Sequence, residues 1–84
     1  MDDSLSEPKY NVILVKSGAN KVAMMQAVKE INPARFTALR VAKDFIDNPP
    51  GVVLANVTMR RAQNAIKILE KAGAVAEMQP SDIY

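Results

Sequence analysis

The sequence predicts a two-layer α/β (α+β) sandwich with its elements in β-α-α-β-α-β order, a three-stranded sheet covered on one face by three helices. Three observations lead there. Tyr10 to Val15 reads Y-N-V-I-L-V, a β-branched and aliphatic run of strand length. Ala62, Ala65, Ile66, Leu69 and Ala72 recur at helical spacing between Thr58, which suits an N-cap, and Gly73, which suits a C-terminal stop. The chain has 84 residues, 49% hydrophobic and 24% charged, which suffices for one compact core and leaves no room for a second.

Met1 to Pro8 is polar, acidic and closed by a proline, and reads as a disordered leader before a domain over residues 9–78. The first strand ends at the Ser17-Gly18 break. Ala19 to Ile31 contains no breaker and repeats alanine, methionine and valine, so it reads as a helix. Asn32-Pro33 stops it, because a residue before proline is pushed out of the helical region. A second helix runs to Asn48 and is closed by Pro49-Pro50-Gly51. It starts either at an Asn32 cap with Pro33 in the first turn or later at a Thr37 cap. Val52 to Val57 is a short strand that Ala55-Asn56 interrupts. The Thr58-capped helix follows, then a closing strand from Ala74 to Met78, and residues 79–84 read as a polar tail.

Cysteine and histidine are both missing, which removes disulfides, thiolate metal sites, a cysteine nucleophile, and the commonest general base and metal ligand. The serines have no histidine to activate them, Gly18 is the only glycine before position 51, and the carboxylates form no set suited to a hard cation. A non-enzymatic protein using neither cofactor nor metal is expected. No stretch approaches the roughly 20 apolar residues of a membrane span, and the acidic start is the reverse of a signal peptide. The expected location is therefore cytoplasmic. Net charge is only +2, but Lys9 to Lys43 holds seven basic residues against the single acid Glu30, while Asp44 to Met78 holds four of each. A one-sided basic field steers toward an acidic partner.

On a helical wheel at about 100° per residue, Met24, Ala27, Val28 and Ile31 of the first helix share a core-facing arc, leaving Val22 and Met25 on the solvent side with Lys29 between them. An apolar pair beside cations has the look of a docking patch, and methionine adapts to partner surfaces. In the second helix the core side takes Ala38, Leu39, Ala42, Phe45 and Ile46. Arg40 with Asp44 and Lys43 with Asp47 stand opposite at i, i+4, a spacing that solvates a helix face. Arg60 and Arg61 open the third helix, where positive charge opposes the macrodipole.

The strings Y-N-V-I-L-V-K-S-G-A-N-K-V-A at 10–23, A-V-K at 27–29, A-K-D at 42–44 and L-E-K-A-G-A at 69–74 resemble the C-terminal domain of the bacterial ribosomal stalk protein L7/L12, in the same order and nearly the same spacing. The resemblance implies the same β-α-α-β-α-β fold and a recruiting, non-catalytic role. In that family the first two helices bind translational GTPases, the elongation and initiation factors. It further implies partner contacts from Lys21, Val22, Ala23, Met25 and Lys29 on the first helix and Arg40 and Lys43 on the second. The family's N-terminal dimerisation domain and hinge are not found in these residues, so a stand-alone homologue is expected. Gln26 stands at a usually basic contact position, Val41 where glutamate is common, and Arg60 and Arg61 where acids are common. E-I-N-P-A-R-F-T-A replaces a shorter glycine-rich turn between the first two helices.

Three alternatives stand beside that expectation. A Clp-protease adaptor that reads N-terminal residues has a similar fold and an acidic leader, but its amine pocket needs carboxylates after the first strand, where this chain has Lys16-Ser17-Gly18-Ala19. RNA binding through the basic half lacks stacking aromatics. A homodimer would use Val41, Ile68 or the solvent side of the first helix.

Overall fold

The structure is a computed structural model that describes residues 8–81. Its order is β1 (Tyr10–Lys16), α1 (Lys21–Ile31), α2 (Leu39–Asp47), β2 (Gly51–Val57), α3 (Met59–Lys71) and β3 (Val75–Pro80). The sheet is antiparallel throughout in the order β2-β1-β3, and the helices cover one face, as expected from the sequence. Residues 1–7 of the expected leader and 82–84 of the expected tail lie outside the described residues. β3 runs two residues past Met78, pairing Pro80 with Tyr10.

Alternation on β1 sends Val12 and Leu14 into the core, where Met24, Val28, Phe36, Ile46, Val53 and Leu69 meet them, all fully buried. β2 departs from simple alternation. Its register against β1 slips by one residue between the Val12–Leu54 and Ile13–Val52 pairs, and again between Tyr10–Val57 and Val12–Leu54. Each slip is a bulge that inserts one β2 residue, which lets the neighbours Val53 and Leu54 both turn inward. The Ala55-Asn56 interruption seen in the sequence is the second bulge: Asn56 has φ 58° and donates its N–H to Asn11 Oδ1 at 2.9 Å.

α3 is capped by Thr58, whose Oγ1 accepts from the Arg61 N–H at 3.3 Å. It ends in a Schellman motif: the Ala74 N–H donates to the Leu69 carbonyl, the Gly73 N–H to the Glu70 carbonyl, and Gly73 has φ +86°. The start of α1 is fixed as well. Asn20 is its N-cap, accepting from the Ala23 N–H at 3.1 Å. Gly18, just before it, is buried against the end of α3, where an added Cβ would lie 2.3 Å from the Ala72 carbonyl oxygen. The glycine in the G-A-N-K-V-A string is therefore required by close packing of two backbones.

The segment between α1 and α2 resolves the two alternative starts of α2. Neither Asn32 nor Thr37 caps it; Ala38 is the N-cap residue and makes no side-chain bond. Asn32 instead closes α1, and residues 33–35 turn so that Phe36 drops into the core. Burying a whole aromatic ring outweighs the loss of one cap. The later start also leaves the first residues of the helix beyond the core while its phase stays as expected. Ala42 and Ile46 are buried as expected and Phe45 is half-buried, but Ala38 and Leu39, assigned to the core from the sequence, are exposed.

Candidate protein-binding surface

Two contacts hold the end of α2 against the start of α1 and the loop before it, in an antiparallel hairpin. Lys21 Nζ at the start of α1 meets Asp47 Oδ1 at the end of α2, 2.5 Å away, and the Ser17 hydroxyl donates to the Ile46 carbonyl. The hydrogen bond from Lys21 holds the Asp47 carboxyl below its usual pKa, against an opposing desolvation, with the charges of Lys21 and Lys43 adding to the lowering. Asp47 is thus drawn to Lys21 across the hairpin. The i, i+4 pairing of Lys43 with Asp47 expected from the sequence is not formed, nor is Arg40 with Asp44: among the described residues Lys21–Asp47 is the ion pair found.

The seam between the helices continues from that clamp. At about 100° per residue, Lys21, Met25 and Lys29 run along the flank of α1 that faces α2, and Leu39, Lys43 and Asp47 run along the facing flank of α2. Antiparallel order sets Lys43 across from Met25 and Leu39 toward Lys29. Val22, 64% exposed, stands outermost on α1, and Arg40 is exposed on α2.

The sequence-derived contact residues divide accordingly. Lys21, Lys29, Arg40 and Lys43 are all exposed on this surface, with Val22 among them. Met25, expected in water beside Val22, is half-buried and packs against the core because α2 covers its side of α1. Ala23 lies on the opposite flank of α1, half-buried beside Ile68 and Ala72 of α3. Leu39 is what sequence reasoning missed. It is 66% exposed and joins Val22, at 64% the next most exposed large apolar side chain among the described residues. Its signal was the Arg35-Phe36 pair, since a buried Phe36 forces α2 to begin late and leaves Leu39 in its first turn, beyond the core.

Arg35 was missed as well. Its guanidinium lies 5.0 Å from the centroids of both Phe36 and Phe45, and its Nη1 donates to the Val52 carbonyl at 2.5 Å. The two rings are themselves 5.0 Å apart at 55°. Asn32 Nδ2 donates to the neighbouring Val53 carbonyl at 3.1 Å. The longer connection is therefore bolted to the outer edge of β2, which sets where α2 lies against α1.

Other candidate features fit poorly with chemistry. Among the described residues no cluster of three or more acids, cysteines or histidines could hold a metal ion. No helix there is long and apolar enough to cross a membrane. The loop after β1 spends Ser17 on Ile46 and Gly18 on α3, leaving no acidic side chain of its own to receive an amine. Ile68, named for a possible dimer face, is half-buried against the core, whereas Val41 is exposed.

Comparison with known proteins agrees with this architecture. Residues 10–79 match the family model described as Ribosomal protein L7/L12 C-terminal domain. Large ribosomal subunit protein bL12 of Delftia acidovorans is 41% identical over 71 residues, covering 84% of this chain and 54% of the relative. The bL12 proteins of Polynucleobacter necessarius and Flavobacterium psychrophilum are 40% and 36% identical over 73 and 74 residues, covering 87% and 88% of this chain and 56% and 58% of theirs. The chain spans about half the length of these curated relatives. With a match that reaches from the first residue of β1 nearly to the end of β3, the chain belongs to the ribosomal protein L7/L12 C-terminal domain family.

Proposed function

We propose that residues 9–78 form a non-enzymatic recruiting domain of the ribosomal stalk kind, working in the cytoplasm and binding translational GTPases, the elongation and initiation factors, through the α1–α2 seam. The observation that supports this best is the pair of solvent-facing apolar side chains, Val22 and Leu39, set among Lys29, Arg40 and Lys43, none of which has a carboxylate partner within the described residues. An acidic partner helix would bury the apolar pair at the centre and meet the cations at the rim. The seam belongs to two short helices, so the contact is small, fast and salt-sensitive. The domain contributes encounter and orientation; the chemistry stays with the GTPase.

The test is titration of a labelled elongation factor with the wild-type chain and with a Val22→Asp plus Lys29→Glu variant. Binding should weaken at least about tenfold in the variant, and wild-type binding should weaken as salt rises. Equal binding by both chains would remove the proposal.

A further inference from the structure

We propose that α1 carries a second docking site on its other flank, a groove between α1 and α3 that receives an acidic amphipathic helix of a protein partner. This goes beyond the α1–α2 reading and is independent of it. Two depressions of about 330 and 290 Å³ adjoin along this flank, sharing Glu30 and Ile68. Together they run from Arg61 to Lys71, ten residues of α3 and therefore ~15 Å.

The floor is small and mixed, with the amides of Gln26 and Asn64 beside apolar side chains. Ala23, Ile68 and Ala72 are half-buried there, and the two alanines let a helix backbone approach closely. Charge sits at the ends: Arg61 at one and Lys71 at the other, both exposed and neither ion-paired among the described residues, with Glu30 the one charge on the α1 bank. Arg61 stands in the first turn of α3, which holds no acidic residue, so its charge is uncompensated where the helix dipole already disfavours it. The complement of this pattern is a helix with an apolar stripe and two carboxylates three turns apart. RNA fits worse, because the floor offers no aromatic ring for a base.

The experiment uses the isotope-labelled full chain and two synthetic 15-residue peptides of leucine and alanine, one with glutamates eleven positions apart and one with lysines in their place. The glutamate peptide should move the amide resonances of Ala27, Ala65 and Ile68, and the lysine peptide should not. Arg61→Glu plus Lys71→Glu should weaken binding at least about tenfold, with retention of the fold checked by thermal melting. Val22→Asp plus Lys29→Glu should leave this binding unchanged, which separates the groove from the seam whatever the fate of factor binding. The inference is overturned by no shifts up to about 1 mM peptide, by equal response to both peptides, by shifts centred on Val22 and Lys43, or by a 15-nucleotide RNA displacing the peptide from the same amides.

Discussion

Replacing Gly18 by alanine tests the packing that seats α1. The new Cβ would lie 2.3 Å from the Ala72 carbonyl oxygen, 3.0 Å from the Gly73 carbonyl carbon and 3.1 Å from the Gly73 oxygen. Carbon atoms rest at about 3.5 to 4.0 Å, so the two backbones must part by about 1 Å. Neither can yield cheaply, since the Schellman hydrogen bonds fix the end of α3 and the Asn20 cap fixes the start of α1. Overpacking a core costs about 1 to 3 kcal/mol, and a clash with backbone belongs at the upper end, about 3 kcal/mol. A domain of this length has about 4 to 13 kcal/mol in total. The expected loss is therefore a large fraction of stability, read as a fall in melting temperature of about 12 to 24 °C by far-ultraviolet circular dichroism. A fall smaller than about 4 °C would refute the reasoning, because the loop would then have absorbed the methyl group and close packing would not explain the glycine.

Leu39→Ala separates surface from core directly: a solvent-facing leucine should cost no more than about 0.5 kcal/mol in urea denaturation, whereas a core leucine costs about 2 to 5, while factor binding should drop severalfold. Arg35→Ala removes the stack on Phe36 and Phe45 and the bond to Val52, and should cost about 1 to 2 kcal/mol by the same assay. Arg35→Lys should recover less than half of that, having lost the planar group. Asp47 carries a lowered pKa, so its contribution is fully present above the ordinary value of 3.8 and disappears as pH falls through the lower folded value. The melting temperatures of wild type and Asp47→Asn, measured from pH 6 to 2, should accordingly differ above about pH 5 and converge below pH 3.8.

What could be read from the sequence was whatever is local. The strand Tyr10 to Val15, the Thr58 and Gly73 ends of α3, and the buried stripe of α1 at Met24, Ala27, Val28 and Ile31 each follow from spacing within one element, and the structure places them accordingly. The remainder depends on where distant residues go. α2 is nine residues long, so its start decides which of its first residues reach the core, and that start is set by Phe36 reaching the core. Asp47 has Lys43 at helical spacing but meets Lys21, 26 positions away, because the hairpin brings the two helix ends together. Bulges in β2 leave no mark in its composition beyond the Asn56 that can take a positive φ.

The same distant pairing sets the charge that a partner meets on the seam. Counted along the sequence, Lys21, Lys29, Arg40 and Lys43 offer four cations. In the fold, Lys21 is held by Asp47 at 2.5 Å, so three remain without an ion-pair partner among the described residues, and the neutralised end of the hairpin is the one next to Val22. A partner carboxylate approaching Lys21 must therefore displace Asp47, while one approaching Lys29, Arg40 or Lys43 displaces only water. Removing Asp47 charge should then do two opposed things: loosen the hairpin slightly and tighten an acidic partner by freeing Lys21. Asp47→Asn should lower the melting temperature while lengthening the residence time of a bound elongation factor at low salt, with the second effect fading at high salt. A variant that loses stability and affinity together would show that the clamp serves to hold the seam in shape, and that the free cations alone set its charge.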